Sequence, residues 1–195
     1  MNFKTAFYAW LLGLALGLSG LGADAATPCR IAFDIGSSGV RAGASNNPAV
    51  AHVDIDYLTP LWVGRGLADT FNPTANALKN LPLGVGFSDR CDRVAAAFSA
   101  WRLAWQQAAG ETAELMARMQ ADTHVAVLVI PQSVEGGYAY ASAQDVIGAR
   151  LTSSHVLYMG GGSLQIAGVR TTYGQALGQK SWHQLLCASL RQSAV

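Results

Sequence analysis

The apolar positions divide the chain into a leading apolar run, a glycine-punctuated β-rich stretch and a mixed remainder of helices and strands. Residues 6–21 form the run, with Lys4 before it and Ala23-Asp24-Ala25 after it. That layout predicts a secretory signal cleaved between Ala25 and Ala26. The run is short for a membrane anchor and is broken by glycines. Arg30-Ile31-Ala32-Phe33 then reads as a strand, Gly36-Ser37-Ser38-Gly39 as a turn, and Val40-Arg41-Ala42-Gly43 as the returning strand. Partial alternation over Ala51–Val63 predicts a third strand, which completes an antiparallel meander. Asn72-Pro73 has the form of a helix start, with the helix running to about Lys79.

Further along, Arg93–Ala97 reads as a short strand, and Ala100–Gln107 and Thr112–Gln120 as helices broken at Gly110. Val125–Ile130 is continuously apolar, the pattern of a strand buried on both faces. Val134–Ala143 predicts a helix and Val156–Met159 another buried strand. After the turn Gly160-Gly161-Gly162-Ser163, Leu164–Val169 returns as its hairpin partner, and Ser181–Leu190 is helical. Strands followed by helices around a mixed sheet give an α/β domain.

Composition narrows the picture. Hydrophobic residues make up 51% of the chain and charged ones 13%, which suits a packed core rather than disorder. The net charge is +1 with no block of Lys and Arg, which argues against a nucleic-acid surface or a polybasic membrane patch. Of Cys29, Cys91 and Cys187, one pair suffices for a disulfide in an oxidising compartment, and spacing leaves the pairing open. No CxxC or Cys/His cluster points to zinc, and the four histidines are scattered.

Four places have the composition to carry chemistry. Asp34 followed by Gly36, Ser37, Ser38 and Gly39 puts small residues in a tight turn, so that backbone N–H groups can face an anion. Asp34 would hold a hydrated divalent cation, or the segment is an ordinary hairpin turn. Gly160, Gly161, Gly162 and Ser163 repeat the arrangement, and two such turns can clamp a phosphate chain from opposite sides. The expected geometry is both turns on the same edge of one sheet, facing across a cleft. Glu135 can activate water, or is simply a first-turn helix carboxylate favoured by the dipole. Arg102 can neutralise phosphate oxygens, or is a solvated helix arginine. Trp101 and Trp105, four apart, read as core packing.

Taken in order, these segments resemble the exopolyphosphatase/guanosine-pentaphosphate phosphatase (Ppx/GppA) family of the actin-like ATPase superfamily. Asp34 to Arg41 looks like its first phosphate motif, and Val63-Gly64-Arg65-Gly66-Leu67 its Leu-Gly-x-Gly-Leu stretch after the third strand. Ala97 to Ala104 is similar to its Ala-Thr-Ser-Ala-x-Arg-x-Ala segment, which places Arg102 on phosphate. Glu135 stands where the family carries its catalytic Glu, and Tyr158 to Ser163 resembles its Asp-Ile-Gly-Gly-Gly-Ser motif. Four positions depart from the pattern: Tyr158 for Asp, Leu164 for Thr, Gln165 for Glu and Phe98 for Thr. A tyrosine cannot replace a carboxylate as a ligand for a hard cation. The ectonucleotidase family is the second resemblance, carried by Gly36 to Arg41 and by Gln165.

The Ppx/GppA resemblance implies a ribonuclease-H-like (actin-like ATPase) domain with a mixed sheet and a second domain that is missing or truncated. The implied division is a signal peptide over 1–25, the first domain over 26–170, and a tail or truncated second domain over 171–195. It further implies hydrolysis of phosphoanhydride bonds in polyphosphate or a nucleotide polyphosphate, or an inactive module that binds the same anions. Mg²⁺ on Asp34 is the implied cofactor. Glu135 and Arg102 are the implied catalytic residues, with Gly36, Ser37, Ser38, Arg41, Gly160, Gly161, Gly162 and Ser163 on phosphate. The product is expected to be exported, to keep no membrane span after cleavage, and to pair with a second copy or with a separate chain supplying the second domain.

Overall fold

Alternate residues of β1 (Arg30–Ile35) and β2 (Gly39–Ala44) point inward, so that Ile31, Phe33, Ile35, Val40 and Ala42 are buried on one face. A computed structural model describes residues 29–193 of the chain. The expected signal peptide and its cleavage site lie outside the described residues. β1, β2 and β3 (Asn47–Asp54) form the antiparallel meander, while β4 (Asp92–Ala97) and β5 (Ala126–Val129) add in parallel on the other side of β1. The order β3-β2-β1-β4-β5 is that of a ribonuclease-H-like sheet, as expected. In-register pairing of Phe33 with Ala95 and of Ala95 with Val127 carries one apolar stripe across the sheet. Helices α2 (Phe71–Gly84), α3 (Ala100–Gln107) and α4 (Ala109–Thr123) contribute Leu78, Trp101, Leu115 and Met119 to the same core.

The disulfide joins Cys29 to Cys91, at the starts of neighbouring parallel strands β1 and β4. Its sequence separation of 62 makes it a long-range staple. Closing such a loop contributes about 4 kcal/mol in the chain-entropy account.

Several expected elements shift, each for a local reason. The third strand stops at Asp54, and Leu58–Trp62 is instead the short helix α1. Asp56 Oδ1 accepts from the N–H groups of Leu58 and Thr59, and Pro60 has no N–H to offer a ladder. The Gly64/Gly66 stretch therefore follows a helix rather than a strand. α2 begins at Phe71, so Pro73 falls in the first turn where N–H groups have no helical partner, and the helix continues through Pro82 to Gly84. α4 begins at Ala109, which puts Gly110 inside it and the break at Ala108.

Neither strand expected to be buried on both faces is covered in that way, although Val125 and Val127 of the first run are in the core. β5 is the edge of its sheet, with Leu128 half exposed. β6 (His155–Met159) belongs to a separate three-stranded sheet with β7 (Leu164–Gly168) and β8 (Thr172–Gln175), and Leu157, Tyr158 and Met159 are exposed. An apolar run reports hydrophobicity, not coverage. Trp101 is fully buried and tilts against Tyr57 with centroids 5.7 Å apart, whereas Trp105 is exposed.

Helix α5 (Gln132–Ile147) links the sheets and packs on β7 and β8 through Gly136. Helix α6 (Gln179–Ser193) follows β8. Among the described residues no helix is long and apolar enough to cross a membrane.

Candidate functional site

The turn after β1 and the turn after β6 close in the same way. The Gly36 N–H donates to the Gly39 carbonyl at 3.0 Å, and the Gly160 N–H donates to the Ser163 carbonyl at 2.9 Å. They stand on different sheets, not on one edge of a single sheet, yet they meet across one cleft. A Cβ added to Gly161 would lie 2.5 Å from Ser37 Oγ and 3.0 Å from Ser38 Oγ. One added to Gly162 would collide with Ser99 Oγ. Glycine at 161 allows the two turns to approach so closely, and glycine at 162 lets the second turn lie against Ser99.

The cleft, about 440 Å³, is lined by Asp34, the Gly36–Arg41 turn, Glu135, Tyr158 and the second turn. Every residue proposed from sequence is at this cleft or directly behind it. Arg102, from α3, donates through Nη1 to Glu135 Oε2 at 2.7 Å and to the Ile130 carbonyl at 3.0 Å. Its Nη2 donates to Ser163 Oγ at 3.1 Å. This joins α3, the end of β5, α5 and the second glycine turn at a single guanidinium. Of the two readings, Arg102 is therefore not a solvated helix arginine. Gln165, fully buried on β7, donates to Glu135 Oε2 at 2.9 Å and to Ser163 Oγ at 3.1 Å, while its own Oε1 has no partner. Arg41 stands 3.9 Å from Asp34 at the open side.

The electrostatics are those of a negatively charged, partly dehydrated floor. Burial raises the Asp34 carboxyl above its ordinary range, opposed by Arg41. Burial likewise raises Glu135, opposed by Arg102, with Asp34 adding to the rise. Tyr158, though exposed along part of its side chain, is raised by partial desolvation at the cleft and then by the charges of Asp34 and Glu135, opposed by Arg41. Tyr158 thus stands within the field of both carboxylates, at the position where the resembled motif carries a third.

Three lining residues carried no signal that the sequence reading used. Ser99 holds φ at 38°, in the left-handed region that non-glycine residues seldom adopt, and its Oγ is buried without a partner. Lys180 and His52 also line the cleft. The serine was visible within the Ala97–Ala104 segment; the other two have no motif around them.

Solved structures share this fold. The chain is similar to the Ppx/GppA phosphatase of Aquifex aeolicus at 21% identity, covering 77% of this chain and 53% of that one with a TM-score of 0.57. It is similar to an exopolyphosphatase-like protein at 17% identity, covering 80% and 53%, with a TM-score of 0.67. An exopolyphosphatase from Cytophaga hutchinsonii matches at 14% identity, covering 80% and 53%, with a TM-score of 0.63. The fold is that of the Ppx/GppA phosphatases. The chain spans about half the length of these Ppx/GppA structures. No protein-family model matches the sequence, and no curated protein matches it as a relative.

Among the described residues, no group of three or more His, Cys, Asp and Glu is gathered to hold a metal. Asp34, which lines the cleft with Glu135 and Asp54, could hold Mg²⁺, an ion that keeps most of its waters and takes further oxygens from phosphate.

Proposed function

We propose that the protein binds polyphosphate or a nucleotide polyphosphate in this cleft and hydrolyses a phosphoanhydride bond. The observation that carries the reading is the meeting of both glycine turns in one cleft that Glu135 also lines, with the Arg102–Glu135 pair tied to the second turn through Ser163. Backbone N–H groups of the turns and the Arg102 guanidinium would stabilise charge on the transferring phosphoryl group. A water oxygen attacks phosphorus in line, the bond to the leaving phosphate oxygen breaks, and Glu135 takes the water's proton. In the resting site Arg102 and Gln165 both donate to Glu135 Oε2, which fixes the orientation of the carboxylate. Mg²⁺ held through Asp34 would neutralise phosphate charge. Phosphate release from long-chain polyphosphate by the purified protein tests the reading; binding without release would reduce it to a binding module.

That second reading has its own support in Tyr158, which leaves the cleft one carboxylate short of the resembled motif. Tyr158→Asp separates the two. If the site is a weakened hydrolase, the variant gains Mg²⁺-dependent phosphate release. If the site only binds, added negative charge beside Asp34 and Glu135 weakens polyphosphate affinity and yields no release. Titration calorimetry and a phosphate-release assay on the same preparation read both.

We also propose export through the leader, supported by the Cys29–Cys91 disulfide, a bond suited to an oxidising compartment. Intact-mass analysis of the exported protein should find Ala26 at its N-terminus and Cys29 and Cys91 oxidised. A product beginning at Met1 with both thiols reduced sinks the proposal.

A further inference from the structure

The resting cleft has its arginines committed. Arg102 is paired with Glu135 at 2.7 Å and Arg41 stands 3.9 Å from Asp34. Asp54 also lines the cleft, so three carboxylates face these two cations and the side-chain charges leave no net attraction for an anion. Lys180 is different. It lines the same cleft, is exposed, and forms no ion pair within 4 Å among the described residues; the carboxylate its charge acts on, Asp56, stands in the neighbouring groove and not in the cleft.

Its position is held by backbone, not by chance packing of a long side chain. At the start of α6 the Gln179 N–H donates to the Gly160 carbonyl at 3.0 Å, and the Lys180 N–H donates to the Gly161 carbonyl at 2.7 Å. Helix α6 is thereby latched onto the second glycine turn. The Lys180 stem passes over Gly161, its Cδ 3.5 Å from the point where a Cβ would stand, and Ser37 and Ser38 of the first turn approach that same point. Lys180 therefore sits where the two turns meet. It also borders a second groove between α1 and α6, with Thr59, Trp62 and His183. In that groove Asp56 uses Oδ1 to accept from the Leu58 and Thr59 N–H groups. One lysine thus marks the passage from the cleft into the neighbouring groove.

We propose that Lys180 holds the outer phosphates of a linked phosphate chain as it leaves the cleft toward the α1–α6 groove, and so makes the site selective for chain length. This rests on the cleft being a phosphate site. An ammonium on a flexible stem suits the task, because it can follow phosphates of varying position as a point charge, while Arg102 serves the fixed inner group. The shared chemistry is the phosphate chain, whether inorganic or attached to a nucleoside.

Titration calorimetry with pyrophosphate, tripolyphosphate and a nucleoside triphosphate tests it on wild type, Lys180→Gln, Lys180→Arg and Arg102→Ala. Lys180→Gln should weaken tripolyphosphate about tenfold, the order expected of one charge-assisted contact, and pyrophosphate by less than about threefold. The nucleoside triphosphate should lose affinity like tripolyphosphate, and Lys180→Arg should recover most of the loss. Because Lys180 is exposed, the Gln variant keeps the fold. Equal losses for short and long probes, no loss, or a loss confined to the nucleoside probe would overturn the assignment. If Arg102→Ala abolishes binding while Lys180→Gln changes nothing, the cleft stands as a phosphate site and only the role of Lys180 falls. A wild-type protein that binds none of the probes removes the phosphate site itself.

Discussion

Glu135→Gln should lower turnover on polyphosphate by about 10²–10⁴-fold, the usual value of a positioned general base. Glutamine keeps the size of the side chain and can still accept from Arg102 and Gln165, so the floor of the cleft should survive. Polyphosphate affinity should change little, since the glycine turns, Arg102 and Lys180 are untouched. The pH profile adds a second readout. Burial raises the Glu135 carboxyl above its ordinary range, and a base must be ionised to act. The wild-type rate should therefore climb with pH through a limb that lies above the normal carboxylate range. That limb should vanish in Glu135→Gln. Hydrolysis that persists unchanged in the variant, with the same limb, would show that another group takes the proton.

Arg102→Ala should destabilise the protein by about 3 kcal/mol, because removing one partner of a largely buried ion pair leaves the other charge stranded. For a chain of this size that is a fall of roughly 6–12 °C in Tm. The Arg102 side chain is only 14% exposed and its guanidinium ties together Glu135, the Ile130 carbonyl and Ser163, so three contacts fail at once. Its charge opposes the burial that raises Glu135. Without it the Glu135 carboxyl rises further, and any residual activity should show its acid limb moved to higher pH. The sign for stability follows in the same way. A carboxyl raised in the folded state favours the protonated fold, so the penalty in Arg102→Ala should be smallest at low pH and grow as pH rises through that raised value. Combining Arg102→Ala with Glu135→Gln removes the stranded charge and should recover part of the lost Tm. Thermal melts across pH check all three statements. An Arg102→Ala protein with wild-type Tm at neutral pH would mean that the pair contributes nothing.

Much of this was legible before any coordinates. Alternation in Arg30–Ile35 and Gly39–Ala44, with a Gly/Ser turn between them, specifies a hairpin because period 2 and a glycine turn are local properties. Helix α3 was expected over Ala100–Gln107 and is found there. Part of the cleft is legible too, since turn glycines, a helix-start Glu and an Arg retain their chemical types in any fold. What local pattern could not carry was coverage and partnership. Val125–Ile130 and Val156–Met159 are apolar enough for a core, but the first ends as an edge strand and the second in an open three-stranded sheet. Whether an apolar strand is buried depends on what packs over it from distant sequence.

The same limit applied to the site. Only the tertiary structure put the two turns on separate sheets, and only it set Gly161 against Ser37 and Gly162 against Ser99. The pairing of Cys29 with Cys91 followed from the parallel register of β1 and β4, a relation across 62 positions that spacing does not encode. Lys180 lay in a stretch with no motif and came to the cleft because its backbone bonds to the Gly161 carbonyl. Residue types determined what chemistry was available in this chain. Long-range backbone hydrogen bonds and the close approach of two glycine turns decided which of those groups meet.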